Sequence, residues 1–222
     1  MKLKAVIFDM DGLMLDSQRL ATEAWKKAVA SSGHLLTDEI NLRLIGRNEK
    51  DSDEILRSAF GPQFPTTEVR DKAWEYFSQK AETEGIPVKK GLWEMLDFLE
   101  DQNIPKAVAT MSSRAISVRH LKRANLSERF SIVVCGDEVK EGKPSPEIFL
   151  KDAELLGVKP ENCVVLEDSY SGIRAASNAG MIPIMVPDLI EADDEMRRLA
   201  HAVVKDLFEA RKVLEKLMAG EP

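Results

Sequence analysis

The sequence predicts an α/β fold, a doubly wound parallel sheet with helices on both faces and an all-helical domain inserted near the N-terminal end. Three observations predict it. Short apolar runs alternate with helical stretches from Gly91 onward, the pattern of parallel strands buried on both faces. Residues 17–85 keep a helical periodicity throughout. A short apolar run, Val6-Ile7-Phe8, has the look of a buried strand and precedes that insert. With 222 residues, the chain can bury a substantial core and still carry a smaller inserted domain. The division placed here gives residues 1–16 and 87–222 to a discontinuous core domain and residues 17–86 to the insert.

Each element follows from local pattern. Asp16-Ser17 opens a helix through Ser32, with Leu20, Ala24, Trp25, Ala28 and Val29 at helical spacing, and Gly33 ends it. At that spacing Trp25 reads as core. From Thr37 to Glu84 the apolar positions remain helical, punctuated by Gly46 and Gly61-Pro62 and closed by Gly85-Ile86-Pro87. Beyond Gly91 the expected order is helix 92–102, strand 106–110, helix 113–124, strand 131–135 and helix 145–156. Strand 163–168, helix 171–179 and strand 181–186 follow. Val203-Val204 is expected as a short edge strand before a terminal helix at 207–217.

Composition narrows the function classes. Hydrophobic residues at 44% and charged residues at 31% describe an ordinary globular protein. The net charge of −7 argues against a nucleic-acid or anionic-membrane partner. It leaves a phosphorylated substrate open, because a local cation and one lysine can reverse the field inside a cleft. The apolar stretch before Asp9 is too short for a signal-peptide core, and no run approaches transmembrane length. Cys135 and Cys163 lie in apolar strand-like runs and read as buried free thiols, which implies a cytoplasmic location.

In doubly wound folds the ligand sits beyond the carboxyl ends of the strands. Those ends carry Asp9 and Asp11, then Thr110, then Glu167 and Asp168, with Lys143 in the loop after Cys135. Asp9 and Asp11 repel each other, and a hard divalent cation such as Mg²⁺ would stabilise the pair. Acids, a hydroxyl and a lysine converging on one sheet edge point to metal-assisted phosphoryl transfer. His34, His120 and His201 are scattered, and surface or capping roles are expected for all three. Ser112 and Ser113 fit either phosphate binding or a helix cap. Asp16 is expected to brace the first loop, and Asp193-Asp194-Glu195 to start a solvated helix.

Nearly the whole chain resembles the haloacid-dehalogenase-like superfamily, in the branch of small-metabolite phosphatases and β-phosphoglucomutase. The resemblance rests on Phe8-Asp9-Met10-Asp11-Gly12-Leu13 with Leu15-Asp16-Ser17, and on Ala109-Thr110-Met111-Ser112-Ser113-Arg114. Gly142-Lys143-Pro144-Ser145-Pro146 and Leu166-Glu167-Asp168-Ser169 with Gly172 complete it. It implies a Rossmann-like core and a mobile helical cap that closes over the site. It makes Asp9 the nucleophile and Asp11 the general acid and then base. Asp9, the Asp11 backbone carbonyl and Asp168 would hold Mg²⁺, with Glu167 ligating directly or through water. Thr110, Met111, Ser112 and Lys143 would bind the phosphoryl group, and Gly46 and Arg47 would form a substrate-reading cap loop.

The expected activity is Mg²⁺-dependent hydrolysis of a small phosphorylated metabolite, sugar phosphate-like, through an aspartyl-phosphate. The expected state is a monomer, with a weak dimer as the alternative. Asp11 argues against the haloalkanoate dehalogenases, which need no proton on a leaving oxygen and lack the second acid. A sugar phosphomutase is the alternative activity. Mutases of the branch carry a cap histidine near the place of Ala21, where Arg19-Leu20-Ala21-Thr22-Glu23 has none, and a different polar run from Met111-Ser112-Ser113-Arg114, so the balance favours a phosphatase. A catalytically idle binding module is a third reading, opposed by the required residue type at every catalytic position.

Overall fold

The computed structural model describes residues 3–45 and 49–220. They form two compact units, one of residues Met1–Leu15 with Pro87–Pro222 and one of Asp16–Ile86. Among the described residues, no helix is long and apolar enough to cross a membrane.

The larger unit is built on a parallel sheet. In chain order its elements are β1 (Ala5–Phe8), then, after the inserted unit, strands β2 (Lys106–Thr110), β3 (Val133–Cys135), β4 (Cys163–Glu167), β5 (Ile182–Met185) and β6 (Ala202–Val203). The spatial order is β3-β2-β1-β4-β5-β6, every neighbouring pair parallel. Ile7 aligns with Ala107 on one side and Val165 on the other. The strand order therefore reverses at β1, and the crevice between the ends of β1 and β4 is the switch point at which such sheets bind ligands.

The inserted unit contains α1 (Ser17–Ser31), α2 (Asp38–Leu44), α3 (Glu49–Phe60) and α4 (Thr66–Thr83). Its core joins Ala28, Val29, Leu56, Phe64 and Val69, with Trp25 partly buried against them. His34 is exposed and lies against the rings of Phe60 and Phe64, its Nδ1 beside the Ser32 carbonyl. The remaining helices belong to the sheet unit: α5 (Leu92–Asp101), α6 (Arg114–Arg123), α7 (Glu147–Leu156), α8 (Tyr170–Asn178), α9 (Asp194–Leu199) and α10 (Leu207–Ala219).

Alternation along β1 decides which face each side chain serves. Ala5 and Ile7 join Ile148, Phe149 and Ala153 of α7 and Ala175 and Ala176 of α8 in one buried layer. Phe8 points the other way and meets Phe130 edge-on at 5.7 Å. All four residues of β1 are fully buried, which explains the unbroken apolar run. Cys135 and Cys163 are buried free thiols.

Two elements begin two residues later than the sequence expectation, while the starts of the others lie within one residue of it. The helix expected from Ser145 begins at Glu147, because the residue before Pro146 is disfavoured in helical conformation and Pro146 itself becomes the N-cap. The strand expected from Ser131 is assigned from Val133, although the Ile132 carbonyl already accepts from the Val108 N–H. Asp193 caps α9 by accepting from the Met196 N–H, and Glu195 pairs with Arg174.

Candidate active site

The backbone first fixes the acids of β1. The Asp9 N–H donates to the Leu166 carbonyl at 3.0 Å, extending the ladder one residue past β1. The chain then folds into a tight loop in which Met14 and Leu15 N–H groups both donate to the Met10 carbonyl. Gly12 makes this loop possible with φ of +100°, a conformation that disfavours any side chain. The Gly12 N–H donates to the Leu15 carbonyl at 2.9 Å, and Leu15 forms a bridge with Val88. The strand that leaves the core unit and the strand that returns to it are thus tied together beside the site.

Lys143 forms the centre. Its Nζ lies 2.6 Å from Asp9 Oδ1, 2.7 Å from Glu167 Oε1 and 3.1 Å from the Ala109 carbonyl, so all three ammonium protons are used. Its side chain is 3% exposed. Burial works against its charge, but Asp9 and Glu167 outweigh it and hold the lysine pKa above the ordinary range.

The second oxygen of Glu167 accepts from the Ser169 N–H at 2.7 Å and from Ser169 Oγ at 2.8 Å. Ser169 also caps α8, its Oγ accepting from the Gly172 N–H. Both Glu167 oxygens are thereby engaged, one with Lys143 and the other with Ser169. Gly172 packs so closely on that carboxyl that a Cβ there would collide with it.

The acids strain against one another. Burial pushes the Asp9 carboxyl up to about 8, aided by Glu167 and Asp11 and opposed by Lys143. Burial, then Glu167 and Asp9, push Asp168 well above the carboxylate range. Among the described residues, no group of three or more His, Cys, Asp and Glu side chains is assembled to hold a metal by side chains alone. The donor chemistry nonetheless suits a hard divalent cation. Buried oxygen donors whose charged form is penalised first by burial and then by their acid neighbours are stabilised as anions when such a cation joins them.

Asp11 faces a different set of partners. Ser112 Oγ donates to its Oδ2 at 2.7 Å, Thr110 Oγ1 stands 3.5 Å from the same oxygen, and His120 Nδ1 is 3.8 Å from Oδ1. Thr110 is itself buried at the end of β2, where its Oγ1 accepts from the Ser112 N–H. Ser113 is the N-cap of α6, but without a side-chain cap bond, and Asp137 Oδ1 accepts from the Arg114 N–H instead.

The structure therefore joins Asp9, Lys143 and Glu167 in one network and Asp11, Thr110 and Ser112 in a second, with Asp11 and Asp168 in the electrostatic field of Asp9. Met111 is half-exposed, and its methyl end lies over Gly142. Gly46 and Arg47 lie outside the described residues. Three participants escaped the sequence reading. His120 was expected at the surface or in a cap and is instead 4% exposed beside Asp11, because it shares a buried helical face with Ser117 and Leu121. Ser169 grips Glu167. Asp188, just past β5, pairs with Lys89 at 2.5 Å and raises Asp168 further.

Known proteins resemble this chain over most of its length. The model of the haloacid dehalogenase-like hydrolase family matches residues 3–180. The chain is 35% identical over 179 residues to a phosphorylated carbohydrates phosphatase of Thermotoga maritima, covering 81% of this chain and 82% of that one. It is 28% identical over 218 residues to the β-phosphoglucomutase of Bacillus subtilis, covering 93% and 95%. A crystal structure of a HAD family hydrolase from Deinococcus radiodurans, with bound phosphate and sodium, superposes with a TM-score of 0.84 at 27% identity, covering 97% and 96%.

Proposed function

Because the chain belongs to the haloacid dehalogenase-like hydrolases, we propose that it is a Mg²⁺-dependent phosphatase of a small phosphorylated metabolite, sugar phosphate in class. The observation that carries this reading is the buried Lys143 ammonium shared between Asp9 and Glu167, with Asp11 two residues beyond the nucleophile. A carboxylate, a fixed cation and a second, partly exposed acid are the groups that stepwise phosphoryl transfer to water needs.

In the first step an Asp9 carboxylate oxygen attacks phosphorus, and the bond to the leaving alkoxide breaks. Asp11 gives that oxygen its proton, so an alcohol departs and an aspartyl-phosphate remains. In the second step Asp11 takes a proton from water as its oxygen attacks phosphorus, releasing inorganic phosphate and regenerating Asp9. Lys143 and Thr110 neutralise the phosphoryl oxygens throughout. Asp9, Asp168 and the Asp11 backbone carbonyl would hold Mg²⁺, with Glu167 reaching it through water. When bound, Mg²⁺ supplies charge neutralisation for the phosphoryl group and keeps Asp9 ionised.

The helical unit is assigned as the cap that reads the substrate, with Gly46 and Arg47 as its reading loop. The proposal includes a monomeric protein in the cytoplasm, a setting that two buried free thiols suit. A sugar phosphomutase is the second reading, supported by the near full-length similarity to the Bacillus mutase. Its weakness is the stretch Arg19-Leu20-Ala21-Thr22-Glu23, which has no histidine near the place of the mutase's cap histidine.

Inorganic phosphate release from sugar phosphates, nucleotides and short acid phosphates, with and without Mg²⁺, tests the proposal. Rapid Mg²⁺-dependent release from a few related compounds is expected. Negligible release from all of them, with conversion of β-glucose 1-phosphate to glucose 6-phosphate once primed by the bisphosphate, would establish the mutase instead.

A further inference from the structure

The side chain of Asp11 is hydrogen-bonded on one oxygen and approached on the other by a buried imidazole. Ser112 and Thr110 hydroxyls address Oδ2, and the His120 imidazole addresses Oδ1 at 3.8 Å. The Asp11 side chain remains 29% exposed, so its other flank is open while these contacts grip it. The terminal torsion of an aspartate is soft. A hydroxyl pair on one oxygen sets where the carboxyl lies but leaves it free to turn, and a buried ring close to the other oxygen narrows that turn.

His120 is an expensive residue to place there. It occupies the buried side of α6 between Ser117 and Leu121, and its side chain is 5% exposed. A buried imidazole carries a desolvation cost that an aliphatic side chain would avoid. What an aliphatic residue could not do is present a ring nitrogen to the Asp11 carboxyl.

We propose that His120 is a positioning residue for Asp11: with Ser112 it fixes the orientation of the carboxyl that delivers a proton to the leaving group. The inference rests on the phosphatase reading and adds to it a residue remote in sequence that acts through Asp11. Misplacing a catalytic group by a fraction of its contact distance is enough to cost one to two decades in rate.

The test compares kcat/KM for two substrates, which reports the first transfer alone. One is an alkyl phosphate, whose leaving oxygen needs a proton. The other is p-nitrophenyl phosphate, whose phenolate leaves unprotonated. Three variants are read beside the wild type: Asp11→Asn as reference, His120→Leu to remove the nitrogen while keeping bulk, and His120→Asn to return a polar atom near Nδ1.

His120→Leu is expected to lose about 10- to 100-fold on the alkyl phosphate and little on p-nitrophenyl phosphate, the selective pattern of Asp11→Asn. His120→Asn should recover most of the loss. The p-nitrophenyl phosphate rate doubles as the control for an intact fold. Equal losses on both substrates would show a packing role and overturn the proposal, as would no loss on either. A wild type inactive on both would overturn the phosphatase reading and this inference with it, an outcome distinct from an active wild type with indifferent His120 variants.

Discussion

Lys143 Nζ stands 2.6 Å from Asp9 Oδ1 across 134 residues of sequence, and its two other protons are spent on Glu167 and the Ala109 carbonyl. That geometry predicts a sharp demand for an ammonium. Lys143→Met should lower kcat/KM about 100-fold or more. Lys143→Arg should recover little, because a planar guanidinium cannot direct three protons to these acceptors from a side chain 3% exposed. Near-normal kinetics in the arginine variant would show that charge alone suffices.

Gly172 makes the same network sensitive to one methyl group. In a helix, glycine to alanine ordinarily stabilises by about 1 kcal/mol. Here the added Cβ would meet the Glu167 carboxyl, which would have to leave Lys143 and Ser169. Gly172→Ala should therefore unfold at a lower temperature than the wild type and lose activity about 10-fold or more, by loss of preorganised charge. Thermal denaturation decides the matter, and an unchanged or raised midpoint would contradict the packing described.

Asp152 predicts a pH dependence of stability. It lies on the buried face of α7 at 0% exposure, and neither carboxyl oxygen has a hydrogen-bond partner among the described residues. Burial pushes its pKa from 3.8 up to about 8, against the pull of Lys143. The unfolded chain releases this proton near pH 4 and the folded chain near pH 8, so stability falls as pH rises through that window. The difference between 3.8 and about 8 bounds the loss at on the order of 5 kcal/mol at the top of the window. Asp152→Asn removes the titration. Its stability relative to the wild type should rise steadily from pH 5 to pH 8 in denaturant titrations, and parallel curves would refute the assignment.

Much of this site was legible because strand ends are legible. Buried parallel strands read as apolar runs, and polar residues at their ends stand out, which is how Asp9, Asp11, Thr110, Glu167 and Asp168 were found. The same rule covers Asp188 beyond β5, where Pro187 separates it from the apolar run. His120 and Asp152 were missed for a common reason. Each sits inside a helix, where periodicity tells which face is buried but not what the face meets. Ile148, Phe149, Asp152 and Ala153 already mark an apolar face with an acid in it, a local conflict visible in the sequence. That His120 would meet Asp11 depends on how α6 docks beside the β1 loop, which no local pattern contains.

The account turns on Asp9 as the nucleophile, and trapping the covalent intermediate tests it most directly. Single-turnover reaction with an Asp11→Asn variant, acid quench and peptide mapping by mass spectrometry should place a phosphoryl group on the peptide containing Asp9. The doubly substituted Asp9→Asn, Asp11→Asn protein should carry none. A phosphoryl group mapped to another residue, or normal turnover by Asp9→Asn alone, would contradict the mechanism.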